Sequence, residues 1–337
     1  MKKLPQAQQI NNMDKENLRI VFFGTPQFAV ESLDTLIRNG FNVVAAVTMP
    51  DKTGGRGHKV ITSAVKDYAI EHNIPLLQPE KLKSPDFIET LKALEADLFI
   101  VIAFRMLPEA VWAMPPLGTF NLHASLLPRY RGAAPINRAV MNGDTETGVT
   151  TFFLKHEIDT GDVIARERIE IGPDEDAGSV HDRLMALGAK LTLETVQNIA
   201  DGKANALPQA ELANGEEPTP APKIFKEDCR ICWTACADSV HNHIRGLAPH
   251  PGAWTELDIC GNVTTVKILK SERIGDSHHK LAPGEIKTDN GRVIAGCGNG
   301  SCIALSIVQP AGKKAMPAAD FARGLRLDGD SRKGVFR

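Results

Sequence analysis

From Leu18 to Ala200 apolar residues come in short bursts whose period alternates between strand-like and helix-like. Leu18-Arg-Ile-Val-Phe-Phe23 is a compact apolar run closed by Gly24-Thr-Pro26, the pattern of a buried strand entering a turn. Phe28, Val30, Leu33, Leu36 and Ile37 then keep helical spacing up to Gly40, with Thr25 as N-cap and Pro26 at the first helical position. Phe41–Thr48 is a second β-branched run, so the chain opens as β-α-β, which predicts a parallel sheet with a right-handed crossover. Helices are predicted over 61–72, 85–94, 133–141 and 176–200. Strands are predicted at 75–77, 97–103, 117–122, 148–155 and 163–171. Asp97–Ala103 is the most hydrophobic of them and is expected at the centre of the sheet. The fold class expected is α/β, a Rossmann-like domain with a parallel-rich sheet.

The pattern changes after residue 203. Residues 204–222 are polar, hold prolines 208, 218, 220 and 222, and read as a linker. A helix is predicted from Cys229 to Leu247. Short runs at 253–259, 263–269, 284–288, 293–296 and 302–308, separated by turns, then predict a small OB-like β-barrel, with a last helix over 318–325. The organisation read from the chain is a disordered leader over 1–17 (with Met13 an alternative start), a catalytic domain over 18–203, the linker, and a second domain over 223–337.

The longest apolar run, Leu98–Phe104, is far shorter than the roughly 20 residues of a membrane span, and the first seventeen residues lack a signal-peptide core, so cytoplasmic residence is expected. The net charge of −2 is unevenly spread: from His241 onward fourteen Lys or Arg face nine Asp or Glu, a balance of +5, against −7 over residues 1–240. A basic C-terminal part on an acidic body suits a polyanionic partner. The six cysteines have no repeated framework spacing and are expected to be reduced. Cys229, Cys232 and Cys236, with His241 and His243 beyond, form either a set of soft metal ligands or one apolar stripe of a helix. The stripe is the reading taken, since no second paired-ligand half is present, and no metal is expected.

Known motifs then narrow the chemistry. After the first strand there is one glycine where a dinucleotide fingerprint needs three, and the glycine-rich stretch Met49–Lys59 has no Gly-Lys-Ser/Thr ending, so nicotinamide and P-loop chemistry are poor fits. That stretch reads as a mobile basic loop, either merely solvated or a flap against a phosphate backbone. Phe120–Pro135 reads F-N-L-H-A-S-L-L-P-R-Y-R-G-A-A-P. Asn121 and His123 are two apart, so on an extended chain their side chains leave one face at the sheet edge where ligands bind α/β proteins. Ser125 is too close to His123 in sequence for a catalytic triad. Asp159, in Asp-Thr-Gly-Asp162, reads either as a turn residue bonded to its own backbone or as the carboxylate that keeps His123 protonated. Asn, His and Asp together suit oxyanion stabilisation during acyl or formyl transfer without a covalent stage.

The Phe120–Pro135 stretch and His156-Glu-Ile-Asp-Thr-Gly-Asp162 resemble the signatures of the folate-dependent formyltransferases. V-F-F-G-T-P-Q-F-A, P-D-K-T-G-G-R-G-H-K, R-Y-R-G-A-A-P-I, H-P-G-A-W-T and Q-P-A-G-K-K-A-M are similar to the branch acting on initiator methionyl-tRNA, and the resemblance runs from Leu18 to the C-terminus. It implies that Asn121, His123 and Asp159 are the catalytic triplet. It further implies that Ser125, Leu126, Leu127 and Pro128, with Phe104 and Arg105 of the neighbouring loop, bind 10-formyltetrahydrofolate. Arg56, Lys59, Lys313 and Lys314 would meet the tRNA. The partners implied are initiator methionyl-tRNA and folate, with no membrane and a monomeric chain. Two departures from the family pattern stand out: Ala103-Phe-Arg-Met-Leu-Pro108 is one residue shorter than the usual A-Y-G-x-I-L-P, and Glu157 replaces a frequent glycine. One rival is a formyltransferase acting on an amino-sugar nucleotide. Another is a non-catalytic RNA-binding protein, which predicts loss of a triplet that is present.

Overall fold

A computed structural model describes residues 14–54, 59–213, 215, 217–274, 281–325 and 334–337. It divides into two compact units. One holds residues up to 132 with 148–169 and 182–220, and the other holds 133–147, 170–181 and 221 onward.

In the first unit the strands are β1 (Arg19–Gly24), β2 (Asn42–Val47), β3 (Leu76–Leu77), β4 (Leu98–Ile102), β5 (Thr119–His123), β6 (Glu146–Phe153) and β7 (Val163–Glu170). Among the described residues they form one seven-stranded sheet in the order β7-β6-β5-β4-β1-β2-β3. The pairings β5–β4, β4–β1, β1–β2 and β2–β3 are parallel, and β6 turns antiparallel to β5. The expected parallel-rich sheet is therefore present, and β4, buried along its whole length, occupies its middle. Strands covered on both faces need near-continuous apolar sequence, which is why Leu98–Ile102 has no polar residue. Phe22, Phe23, Phe99, Phe120 and Phe152 are among the largest side chains fully withdrawn from water in this core.

The helices on this frame include α1 (Gln27–Arg38), α2 (Ala64–Glu71) and α3 (Pro85–Ala93), whereas α4 (Pro135–Met141) belongs to the second unit and α5 (Ala177–Ala200) lies in the first from Asp182 onward. α1 corrects a cap. Pro26, extended at φ −83° and ψ 175°, is the N-cap, and the Thr25 hydroxyl is buried without a hydrogen bond. The extended ψ of Pro26 puts it outside the helix, so the helix starts one residue later than the Thr-Pro signal suggests. Ser63 does cap α2, accepting from Lys66 N at 3.0 Å. Gly188 on α5 faces Leu122: a Cβ there would lie 2.7 Å from Leu122 Cδ2, so the small residue lets the helix lie tightly against β5. The stretch read as a mobile basic loop includes an antiparallel hairpin, Lys52–Gly54 with Lys59–Ile61.

The second unit contains α6 (Ala237–Leu247) and the strands β8 (Ala253–Ile259), β9 (Asn262–Arg273), β10 (Ile286–Asp289), β11 (Arg292–Gly296), β12 (Cys302–Pro310) and β13 (Gly334–Phe336). The sheet runs β10-β11-β12-β9-β8-β13, and its pairings are antiparallel. A bridge between Glu285 and Val335 brings its two ends together, so the small antiparallel barrel expected from the turn spacing is present. Leu257, Val266, Ile268, Ile303 and Trp233 fill it, and the Trp233 ring stacks on Phe336 with centroids 5.0 Å apart.

The helix predicted from Cys229 needs correction. Glu227–Cys229 is a single 3-10 turn, an extended segment follows in which Ile231 N donates to Trp254 O at 2.9 Å, and α6 starts only at Ala237. Cys229, Ile231 and Trp233 are buried while Arg230, Cys232 and Thr234 are exposed, a period of two rather than three and four. Alternation of this kind is the signal of an extended segment against a core. The cysteine stripe therefore does not exist.

Ile100, wholly buried at the centre of the sheet, supplies the test of this core. Replacing it with alanine is expected to cost about 2–5 kcal/mol, read as a lower unfolding midpoint; a change under about 1 kcal/mol would mean that β4 does not carry the core.

Candidate active site

The site is built at the carboxyl end of β5. Asn121 stands opposite Val101 of the parallel strand β4 and Phe152 of the antiparallel β6, and His123, the last residue of β5, stands opposite Thr150. Extended backbone puts both side chains on one face, as the two-residue spacing requires. Asn121 is half-buried and His123 is 7% exposed.

His123 is held by a group that sequence reasoning missed. Its Nε2 lies 2.8 Å from the carbonyl oxygen of Tyr130, a carbonyl being only an acceptor, so Nε2 carries the proton and donates. That fixes the tautomer and leaves Nδ1 facing Asp159, 3.9 Å from Oδ2. Tyr130 offers its carbonyl from a left-handed backbone, φ +61°, and no residue-type pattern announces a main-chain acceptor.

Asp159 arrives from the turn after β6. Its φ is +54°, a conformation costly for most side chains but tolerated by Asp. Its Oδ2 accepts from Gly132 N at 2.8 Å. Gly161, two residues on, runs so close to β6 that a Cβ would lie 1.6 Å from Phe153 O. The Asp159 carboxylate is thus bonded to the distant Gly132 N–H, as the turn reading did not foresee, and it lies 3.9 Å from His123.

The other candidates fall differently. Ser125 is fully buried and its hydroxyl donates to Arg129 O at 2.6 Å, so the hydroxyl is taken up inside its own turn. Leu127 and Pro128 are also buried, and Leu126 is half-buried against Gly148. Thr150 completes the turn, donating to Ser125 O at 2.6 Å while Leu127 N donates to its Oγ1 at 3.1 Å. Phe104 packs 5.7 Å from the Phe23 ring. Arg105 donates to the carbonyls of Pro79 and Glu80 and sits over Phe104, so its guanidinium braces the shortened loop; burial lowers its pKa from the ordinary arginine value. Met106 of that loop is 70% exposed.

Of the residues implied for tRNA, Arg56 lies outside the described residues. Lys59 pairs through its backbone with Gly54, and its side chain lies outside them too. Lys313 and Lys314 are exposed in the turn after β12. Among the described residues no three His, Cys, Asp or Glu are grouped to hold a metal ion.

Two family models match this chain, one described as formyl transferase over residues 18–196 and one as the C-terminal domain of formyl transferase over residues 223–326. The chain belongs to the formyl transferase family. The methionyl-tRNA formyltransferase of Bacteroides fragilis is 56% identical over 317 residues, covering 94% of this chain and 97% of its own. That of Bacteroides thetaiotaomicron is 53% identical over 316 residues, covering 94% and 98%. Solved structures share the fold at low identity. The N-formyltransferase from Helicobacter canadensis, in complex with folinic acid and dTDP-3-aminofucose, matches with TM-score 0.62 at 19% identity, over 86% of this chain and 98% of its own. HypX from Aquifex aeolicus in complex with tetrahydrofolic acid matches with TM-score 0.60 at 19% identity, over 90% of this chain and 46% of its own.

The cysteines offer a check on this geometry. Burial raises the Cys229 thiol and pushes Cys297 up to about 12, whereas hydroxyl hydrogen bonds from Thr234 and Ser239 lower Cys232 and Cys236. A lower pKa means more thiolate. Iodoacetamide at pH 8 is expected to label Cys232 and Cys236 well before Cys229 and Cys297 in the native protein; mass spectrometry reads the order, and equal labelling would contradict the burial pattern.

Proposed function

We propose that this chain transfers the formyl group of 10-formyltetrahydrofolate to the amino group of methionine on initiator methionyl-tRNA, giving N-formylmethionyl-tRNA for translation initiation. The observation that carries the reading is the match of more than half of all residues, along nearly the whole chain, to methionyl-tRNA formyltransferases. An amide, an imidazole and a carboxylate converging at one strand end are the groups this reaction requires.

The donor set fits a formyl group, whose oxygen takes up negative charge when an amine adds to its carbon. 10-Formyltetrahydrofolate supplies that group, and Leu126, Leu127, Pro128, Phe104 and Arg105 are proposed to shape its pocket, with Ser125 holding the turn they stand on. Asn121 donates an amide N–H to the developing oxyanion. His123, with Nε2–H fixed on Tyr130 O, donates through Nδ1 once that nitrogen is protonated. Asp159, 3.9 Å away, stabilises the imidazolium, and the carboxylate is the proton acceptor offered to the incoming amine. Collapse of the oxyanion breaks the bond from the formyl carbon to N10, and N10 takes up the proton the amine gave, so tetrahydrofolate leaves and no covalent enzyme intermediate is required.

The domain reading follows. Residues 18–203 carry the chemistry, 204–222 connect while bonding back onto them, and 223–337 present the barrel to tRNA, with Arg56, Lys59, Lys313 and Lys314 as phosphate contacts. Charged tRNA is a cytoplasmic substrate, and a single chain holds the complete Asn-His-Asp set, so the enzyme is proposed as a cytoplasmic monomer.

Losing one oxyanion donor costs about 100- to 1,000-fold in turnover, so Asn121→Ala and His123→Ala are each expected to fall by that much with substrates still bound; near-normal turnover would refute the assignment. Affinity for tRNA should drop as salt rises, because basic side chains displace condensed counterions. Formylation should be faster on charged initiator than on charged elongator tRNA. Efficient formylation of an amino-sugar nucleotide with no tRNA requirement would overturn the substrate reading.

A further inference from the structure

The stretch read from sequence as a linker contains a side chain built into the site. Leu207 pairs with Val163 at the start of β7, and a short helix, Gln209–Leu212, follows. Gln209 is only 4% exposed, and its whole carboxamide is engaged. Its Oε1 accepts from Arg131 twice, from Nε at 3.1 Å and from an Nη at 2.7 Å. Its Nε2 donates to the backbone carbonyls of Asp159 at 2.8 Å and Gly161 at 3.0 Å. Ten residues on, Thr219 repeats the tie: its hydroxyl accepts from Tyr130 N at 2.8 Å and its carbonyl from Arg131 N at 2.9 Å.

These bonds join the two groups that orient the reacting side chains. Tyr130 carries the carbonyl that fixes His123, and Gly132 carries the N–H that holds the Asp159 carboxylate. Arg131 lies between them, and Gln209 links it to the main chain of the Asp159 turn. That turn is strained, with Asp159 at φ +54°, and two carbonyls of a strained turn without partners would be free to rotate. Buried amide groups with all partners in place hold one geometry, and removing them leaves carbonyls and a guanidinium unpaired.

We propose that Gln209 is a positioning residue for the transfer, clamping the Asp159 turn to Arg131 and thereby setting the approach of the carboxylate to His123 Nδ1. This rests on the assignment of Asp159 made above. Gln209 acts through Asp159 and touches no substrate, so it should affect the chemical step and leave substrate binding alone.

The test compares Gln209→Met and Gln209→Glu, each alone and combined with Asp159→Asn. Turnover, KM for 10-formyltetrahydrofolate and for methionyl-tRNA, and thermal midpoints are measured on the full chain. Met removes the clamp at similar volume. Glu keeps an acceptor for Arg131 but sets a carboxylate against two carbonyls, and it carries the test if the Met variant does not fold. Misplacing a catalytic group by about 1 Å can cost about 100-fold, so both single variants are expected to lose about 10- to 100-fold in kcat. Both KM values should stay within about threefold, since only an interaction made in the transition state has been weakened. In the Asp159→Asn background either change should have no further effect, because residues acting through one group are not additive. Normal kcat in both Gln209 variants beside an inactive Asp159→Asn overturns this proposal alone, as does an equal loss in the Asp159→Asn background. Full activity of Asp159→Asn overturns the role of Asp159 and this proposal with it.

Discussion

A carboxylate has to be held beside a histidine that lies far from it in the chain, and the backbone that delivers it is one most side chains avoid. Asp159 reaches His123 only because its residue adopts φ +54° and Gly161 then passes hard against β6. The turn's own bonds, from Thr160 Oγ1 to Glu157 O and from Phe153 N to Asp162 O, close it without reaching the Asp159 carboxylate. The arrangement is kept by hydrogen bonds from elsewhere, from Gly132 N to the carboxylate and from Gln209 to the two turn carbonyls. The strain is thus local and its support is distant, which is how folded proteins maintain unfavourable backbone at working sites.

The other half of the site needs no strain. Asn121 and His123 follow from the pleat of β5, whose register is set between β4 and β6 by continuous pairing. A slip of one residue would turn both side chains to the opposite face. Small residues secure the register: Gly188 lets α5 lie close over Leu122, and Gly148 lets β6 pass Leu126 and Glu167 at distances that no Cβ would permit. Rigid packing supplies one partner and a braced turn supplies the other.

The residues after 203 show how composition can mislead where burial depends on partners. Residues 204–222 look like a spacer because they are polar and rich in proline, yet Leu207, Gln209 and Thr219 are hydrogen-bonded into the first unit. Among the cysteines, the i, i+3, i+7 spacing suggested a helix, while burial in fact alternates at Cys229, Ile231 and Trp233, from the end of a 3-10 turn through a short extended stretch. Both patterns were present in the same few residues. The extended stretch prevails in the fold because Trp254 offers Ile231 a backbone partner.

The sequence by itself determined the seven strands of the main sheet, the central place of Leu98–Ile102, the small barrel, and the pairing of Asn121 with His123. Each of these depends on local periodicity or on apolar content. The family, too, was legible, since its signature residues are contiguous. Only the tertiary structure decided that Tyr130 O fixes the imidazole tautomer, that the Ser125 hydroxyl is closed off inside its turn, and that a glutamine of the apparent linker bonds the carbonyls of the Asp159 turn. Those choices are made by backbone carbonyls and by partners distant in the chain. A main-chain oxygen is the same in every residue, so no pattern of side chains reveals which one will be used.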